Sequence, residues 1–218
     1  MRLISVNCGL PRQVTWQGMN VTTSIYKEPV EGRVRLRMLN LDGDRQADLS
    51  VHGGKDKAVY CYPIEHYSYW QAKLPDHTMN MGAFGENFTT EGLSEETVHI
   101  GDRFTIGSAE VVVTQPRMPC YKLGIRFQSN EMVKRFLDSR RSGLYLAVTL
   151  EGEVGAGDEI AKLSCAADSV SVTEIVRLYI AKNLNNDDIG LVERAISLEA
   201  LPEGWKEYFQ EKLNSFNS

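Results

Sequence analysis

Along the first three quarters of the chain, apolar residues come in short runs separated by polar breaks. Val34, Leu36 and Met38 alternate with Arg33, Arg35 and Arg37, the period of a strand with one buried face. Arg2–Cys8 and Ala58–Tyr62 read as further short strands. Val111, Val112 and Val113 are consecutive and β-branched, which marks Ala109–Thr114 as a buried strand that Pro116 ends. Val98–Asp102 and Arg103–Ile106 read as strand pieces around the Gly101-Asp102 turn. Gly143–Leu150 and Val154–Leu163 read as a hairpin, turned at Glu151-Gly152 or at Gly155-Ala156-Gly157-Asp158. Two helices interrupt this series. One has Pro63 in its first turn and runs through Glu65, Tyr67, Trp70 and Leu74 to a stop at Pro75. The other covers Glu131–Ser139, with Met132, Val133, Phe136 and Leu137 at helical spacing. Many short strands with few helices between them predict a closed or partly closed β-barrel. The regular strand–helix alternation of a doubly wound sheet is missing.

The pattern changes after residue 163. Residues 164–170 are small and polar, a linker. Ser171-Val172-Thr173-Glu174 is a capping box that starts a helix carrying Ile175, Val176, Leu178 and Tyr179. Asn186 or Asp187 caps a second helix through Leu191 and Ile196. Pro202 opens a third with Trp205, Tyr208, Phe209 and Leu213. The expected architecture is mainly β with α: a barrel domain over 1–163 and a three-helix domain over 171–216. So short a helical unit is expected to pack on the barrel instead of standing alone.

Composition narrows the function classes. The 218 residues are 42% apolar and 24% charged, ordinary for a soluble globular chain. A net charge of −5 gives no general pull toward nucleic acid, so any anion site is local. No apolar run approaches the roughly 20 residues of a membrane span, and the N-terminus reads as a first strand instead of a signal, so a cytoplasmic location is expected. Cys8, Cys61, Cys120 and Cys165 are widely spaced and form no CxxC pair, which argues against a disulfide framework and against a short-spaced zinc site. No HExxH, GxSxG or GxxxxGK[ST] pattern is present.

Four constellations can carry chemistry. In Gln115-Pro116-Arg117-Met118-Pro119-Cys120-Tyr121-Lys122-Leu123, Pro119 starts a short helix and puts Cys120 in its first turn, between Arg117 and Lys122. Helix dipole and cations both lower a thiol pKa, so Cys120 is either a reactive thiolate and soft metal ligand or an inert half-buried cysteine. In Val51-His52-Gly53-Gly54-Lys55-Asp56-Lys57-Ala58, the two glycines allow close backbone approach, and His52, Lys55 and Lys57 add donors and charge. That suits a small anion, or else it is a Gly-Gly turn with charged neighbours. In Phe84-Gly85-Glu86-Asn87-Phe88, Glu86 can relay a proton and Asn87 can give and take hydrogen bonds. Arg140-Arg141 before a strand suits a phosphate or a solvated helix end.

The first three of these motifs, together with Asp42-Gly43-Asp44-Arg45-Gln46-Ala47-Asp48, Thr89-Thr90-Glu91-Gly92-Leu93 and Val98-His99-Ile100-Gly101-Asp102, resemble in order and spacing the MOSC family, named for the C-terminal domain of molybdenum-cofactor sulfurases. The resemblance is to its YiiM-like branch, which carries a three-helix tail, and it covers nearly the whole chain. It implies a β-barrel that binds the molybdenum cofactor (molybdopterin with molybdenum), with Cys120 as the metal ligand. His52, Gly53, Gly54, Lys55, Lys57, Asn87, Arg117, Lys122 and Arg141 would hold the cofactor, with Cys120, Glu86 and His52 as the catalytic set. Relatives reduce N-hydroxylated compounds such as hydroxylamino-purine bases, so a small N-hydroxylated substrate and an external electron-donor protein are expected. No flavin, haem or iron–sulfur motif is present to supply electrons. The alternatives are a carrier of the cofactor, or of sulfur as a Cys120 persulfide, and a metal-free binder of a small anion.

Overall fold

The computed structural model describes residues 1–48 and 53–216. The strands are β1 (Arg2–Cys8), β2 (Arg12–Trp16), β3 (Met19–Thr23), β4 (Glu28–Pro29), β5 (Arg33–Leu36), β6 (Val59–Pro63), β7 (Phe88–Glu91), β8 (Arg103–Ile106), β9 (Ala109–Pro116), β10 (Leu144–Leu150), β11 (Gly152–Gly155) and β12 (Ile160–Ser164). The helices are α1 (Glu65–Lys73), α2 (Tyr121–Arg126), α3 (Met132–Ser139), α4 (Val172–Ile180), α5 (Asn186–Ser197) and α6 (Glu203–Phe216).

Eight strands form one sheet in the order β12-β8-β9-β10-β6-β7-β1-β4. All its pairs are antiparallel except β6 with β7. Strands β5 and β11 form a separate pair, as do β2 and β3. The sheet thus has two ends in the strand order, β12 and β4, and no closed barrel is found among the described residues. Near one end the chain does turn back on itself. Leu3 N–H donates to Asp158 O at 2.9 Å, Gly157 N–H to Leu3 O at 2.7 Å and Ile160 N–H to Met1 O at 2.9 Å, which ties β1 to the residues that lead into β12.

Strand period 2 divides the interior into two clusters. In β6, Val59 and Cys61 enter the larger core, while Tyr60 and Tyr62 enter an aromatic cluster with Trp70, Phe84, Phe127 and Phe136. In β10, Leu144, Leu146 and Val148 face the larger core, and Tyr145 packs on the aromatic side. That larger core runs on into the C-terminal helices through Val172, Ile175, Leu178, Val192 and Phe209. The helical tail and the sheet therefore exclude water from each other.

Several local expectations change. Val98–Asp102 is not a strand: the region is a turn whose His99 makes an isolated bridge to Ser171. Gly143–Leu150 and Val154–Leu163 do not form a hairpin. Their Gly-rich middle, β11, pairs with β5, and β12 pairs with β8, so alternating chemistry alone could not name the partner. The Arg33–Met38 alternation stops pairing at Leu36, and Met38 is exposed. Pro63 closes β6, and α1 begins at Glu65. The Ser171 capping box forms, with Glu174 N–H donating to Ser171 Oγ at 3.2 Å and Ser171 N–H to Glu174 Oε2 at 2.8 Å. The second helix is capped one residue earlier than expected, by Asn185 with Asp188.

Candidate functional site at Cys120

Strand β9 ends at Pro116, the chain runs irregularly through Arg117-Met118-Pro119, and Cys120 is the N-cap of α2. Its backbone is extended there, and its carbonyl accepts Leu123 N–H at 2.9 Å. Cys120 is therefore one residue ahead of the predicted position, half-buried at the mouth of a six-residue helix.

Two cavities meet at Cys120, sharing Lys57, Met118 and Tyr145 with it. The smaller, about 90 Å³, lies between Cys120 and the Thr23–Ile25 segment. Its ionic lining is Lys27, Lys57, Arg117 and Lys122 against Asp44 alone. The larger, about 630 Å³, runs from Cys120 along the Gly53-Gly54 loop to Tyr179, Pro202, Trp205 and Tyr208 of the C-terminal helices. That volume is within the range of small-molecule sites, and its charged lining is only Asp56 and Lys57.

The loop that carries Gly53, Gly54 and Lys57 is fastened to the cysteine strand. Thr114 Oγ1 donates to Asp56 O at 2.7 Å and Gln115 Nε2 to the same oxygen at 3.3 Å. Gly54 has φ +95° and opens a 3-10 turn over Lys55–Lys57, a conformation that favours glycine. Burial lowers the Lys57 ammonium pKa, with Asp56 opposing.

Arg117 is 6% exposed, and its Nη1 is buried with no hydrogen-bond partner. The guanidinium lies 5.0 Å from the Tyr60 ring centroid and 5.2 Å from that of Phe136. No carboxylate pairs with it among the described residues. Burial raises the Tyr145 phenol pKa, Arg117 opposes that rise, and negative charge on Cys120 adds to it, so the three groups feel one another. Lys122, also buried, makes no ion pair among the described residues.

Asn87 lines the smaller cavity. Its Nδ2 donates to Asp44 Oδ2 at 2.9 Å, while its Oδ1 accepts Tyr60 N–H at 3.2 Å. Gly85, at φ +79°, makes this possible: a Cβ there would meet Ile25 Cγ1 at 2.8 Å. The structure thus brings together Cys120, Gly53, Gly54, Lys57, Asn87, Arg117 and Lys122. His52 lies outside the described residues.

Three expected site residues sit elsewhere. Glu86 is fully buried, lines neither cavity and is occupied by structural partners. Gly82 N–H donates to its Oε1 at 2.9 Å, Thr89 Oγ1 to Oε1 at 3.0 Å and Phe84 N–H to its Oε2 at 3.0 Å, with the Tyr67 hydroxyl bonded as well. It staples its own loop. Arg141 lies 3.9 Å over the Tyr69 ring and donates to Ser139 O at 3.1 Å, away from both cavities. Lys55 is exposed on the outside of its turn.

Sequence reasoning missed Lys27 and Asp44, a buried ion pair on the smaller cavity wall in which Asp44 also accepts Gly9 N–H at 2.8 Å. It missed Tyr60 and Tyr145, and it read Trp205 and Tyr208 as packing alone. Asp44 stood inside a quoted motif; the others had no local signal. Among the described residues no three His, Cys, Asp or Glu side chains gather as a metal cluster, and no helix is long and apolar enough to cross a membrane.

A half-buried cysteine between a cationic pocket and an aromatic one, on a mixed sheet with three helices behind it, defines a class. The chain belongs to the MOSC domain family: the family model matches residues 48–161, and the YiiM-like 3-alpha helix domain matches residues 170–216. Among particular relatives, it is 41% identical to the uncharacterized protein YflK of Bacillus subtilis, over 96% of this chain and 93% of that one. It is 36% identical to protein YiiM of Escherichia coli, over 87% and 84% of the two chains. A Gibberella moniliformis protein named "Reductase" is 34% identical over 77% of this chain and 30% of its own. The crystal structure of YiiM from Geobacillus stearothermophilus superposes with a TM-score of 0.80 at 32% identity, covering 97% of this chain and 98% of that one.

Proposed function

We propose that this chain is a molybdenum cofactor-dependent oxidoreductase that reduces small N-hydroxylated compounds, with hydroxylamino-purine bases as the leading substrates. The observation that carries the proposal is the buried Arg117 guanidinium, with Nη1 unpartnered, beside a half-buried cysteine. A buried cation without a carboxylate calls for an anion from outside the chain. The cationic pocket fits an anionic cofactor, and the Cys120 sulfur fits a soft metal. The smaller cavity, about 90 Å³, would take the anionic part of the cofactor, and the rest would reach past Cys120 into the larger one, beside Gly53 and Gly54. The name of the Gibberella relative points the same way.

In this reading Cys120 ligates the metal, and Arg117, Lys122 and Lys57 balance the cofactor's charge. Gly53-Gly54 lets the backbone come close, and Asn87, held by Asp44, offers hydrogen bonds. The cofactor supplies two-electron chemistry. Overall, R–NH–OH with two electrons and two protons gives R–NH2 and water. The electrons come from a separate donor protein, and the work takes place in the cytoplasm. Proton delivery falls to groups at the cavity, with Glu86 set aside by its geometry. We also read the β1 seam with residues 157–160 as the closure of a barrel-like unit over 1–163, covered by a second unit over 171–216.

The test is protein made in a cofactor-competent host. Wild type should copurify with molybdenum and pterin and reduce 6-N-hydroxylaminopurine with reduced methyl viologen as donor. Cys120→Ser should lose most metal and activity. Equal activity in the two proteins would sink the ligand role. Bound cofactor without turnover would make the chain a carrier.

A further inference from the structure

The larger cavity has a wall that the proposed chemistry leaves unused. Trp205 and Tyr208 on α6, with Tyr179 at the end of α4, face the cysteine strand across it. All three rings are half-buried. Their centroids lie 5.4 Å apart for Tyr179 and Trp205, and 5.1 Å apart for Tyr179 and Tyr208. The polar ends of two of them are fixed: Trp205 Nε1 donates to Gln115 Oε1 at 2.7 Å, and the Tyr208 hydroxyl to Tyr179 O at 3.0 Å. The indole is thereby locked to the strand that leads to Cys120.

Charge divides the two cavities. The smaller carries four cations against one carboxylate, and the larger one of each. The anionic groups of the cofactor are drawn to the first, and the rest would reach past Cys120 into the second. What remains for the end of the second cavity at Tyr179, Trp205 and Tyr208, which carries no charge, is an uncharged planar ring, which stacks on aromatic faces with little regard to its substituents.

We propose that Trp205, with Tyr208 and Tyr179, forms the binding wall for the heteroaromatic ring of the substrate, so that the three-helix tail sets substrate preference. This rests on the proposed reductase function, and the experiment separates the two. Binding of 6-N-hydroxylaminopurine to cofactor-free protein is measured by equilibrium dialysis for wild type, Trp205→Leu and Trp205→Phe. Kd should rise about tenfold in Trp205→Leu, the ratio that about 1.4 kcal/mol of lost stacking gives. It should stay within about twofold in Trp205→Phe, which keeps a ring and loses only the bond to Gln115. In loaded enzyme, the kcat/KM ratio of 6-N-hydroxylaminopurine over hydroxylamine, which has no ring, should fall about tenfold in Trp205→Leu. Thermal unfolding checks that both variants fold.

Unchanged binding in Trp205→Leu overturns the proposal, as does an equal loss in Trp205→Phe. Loss of pterin and molybdenum from Trp205→Leu would also overturn it, since the ring would then stack on the cofactor. If loaded wild type reduces neither compound, the reductase reading fails, and the dialysis on cofactor-free protein still decides the wall.

Discussion

Replacing Arg117 by Met should leave the cofactor-free protein nearly as stable as wild type while stripping it of cofactor. Arg117 is 6% exposed, and its Nη1 has no partner. An unsatisfied buried donor costs about 1–3 kcal/mol, more when charged. Against that stand two ring faces, Tyr60 at 5.0 Å and Phe136 at 5.2 Å. Each contributes about 0.5–2 kcal/mol, depending on desolvation. The terms nearly cancel, and Met fills much of the same volume, so the expected change lies within about 2 kcal/mol of zero. For a chain of this length that is a Tm shift of at most about 8 °C. A guanidinium in a satisfied buried pair would behave differently: truncating it costs about 3–5 kcal/mol. The assay is urea or thermal unfolding of cofactor-free wild type and Arg117→Met, with molybdenum content measured on the same variant from a cofactor-competent host. Losing a charged hydrogen bond to the cofactor, about 1.5–3 kcal/mol, weakens retention by roughly ten- to a hundredfold. A Tm drop above about 10 °C in the cofactor-free variant would refute the reasoning, because the guanidinium would then be serving the fold.

Asp44→Ala should do the opposite. It strands the buried Lys27 ammonium and frees Gly9 N–H and Asn87 Nδ2, so unfolding in urea should show a loss of about 3–5 kcal/mol; a loss under about 1 kcal/mol would mean that the pair is not structural. Glu86 gives a pH signature. Burial is the largest influence and lifts its carboxyl above the ordinary value, against the pull of Tyr67 and the loop N–H groups. The folded state thus binds that proton more tightly than the unfolded chain does. Its contribution to stability is greatest at low pH and declines as pH rises from about 4.3 through the folded value. Glu86→Gln should remove that decline in a pH series of unfolding midpoints, at a cost of about 1–3 kcal/mol at neutral pH because the amide meets N–H donors; a slope equal to wild type would sink the account.

What the sequence discloses about the fold is the periodicity of single elements. Val111–Val113 and the Ser171 capping box are local statements, and both stand in the structure. Pairing is not local. The stretch from Gly143 to Leu163 alternates like a hairpin, yet β11 leaves its neighbour to pair with β5, more than 100 residues away in the chain. Nothing in the period-2 pattern distinguishes a partner next door from a distant one. The β2–β3 hairpin went unseen for a related reason: its exposed, polar strands carry little apolar alternation, and its burial pattern confirms how little of it is inside.

The site divides along the same line. Cys120, Arg117 and the Gly-Gly loop announce themselves because their chemistry is written in adjacent residues. Glu86 and Arg141 carried equally suggestive chemistry, and local hydrogen bonds and a tyrosine ring consume it. Sequence shows which groups can react; only packing shows which are left with nothing else to bond. That criterion also explains why Trp205 was read as core. Its spacing on α6 is that of a packing residue, and its neighbour Phe209 is fully buried. The indole, however, is only partly buried: Gln115 takes its N–H, and the ring lines the larger cavity. A helix added behind a sheet can bury its own apolar face and still lend one ring to the chemistry in front. On the proposed reading the tail tunes what reaches Cys120, and residues 179, 205 and 208 are where substitutions change substrate preference.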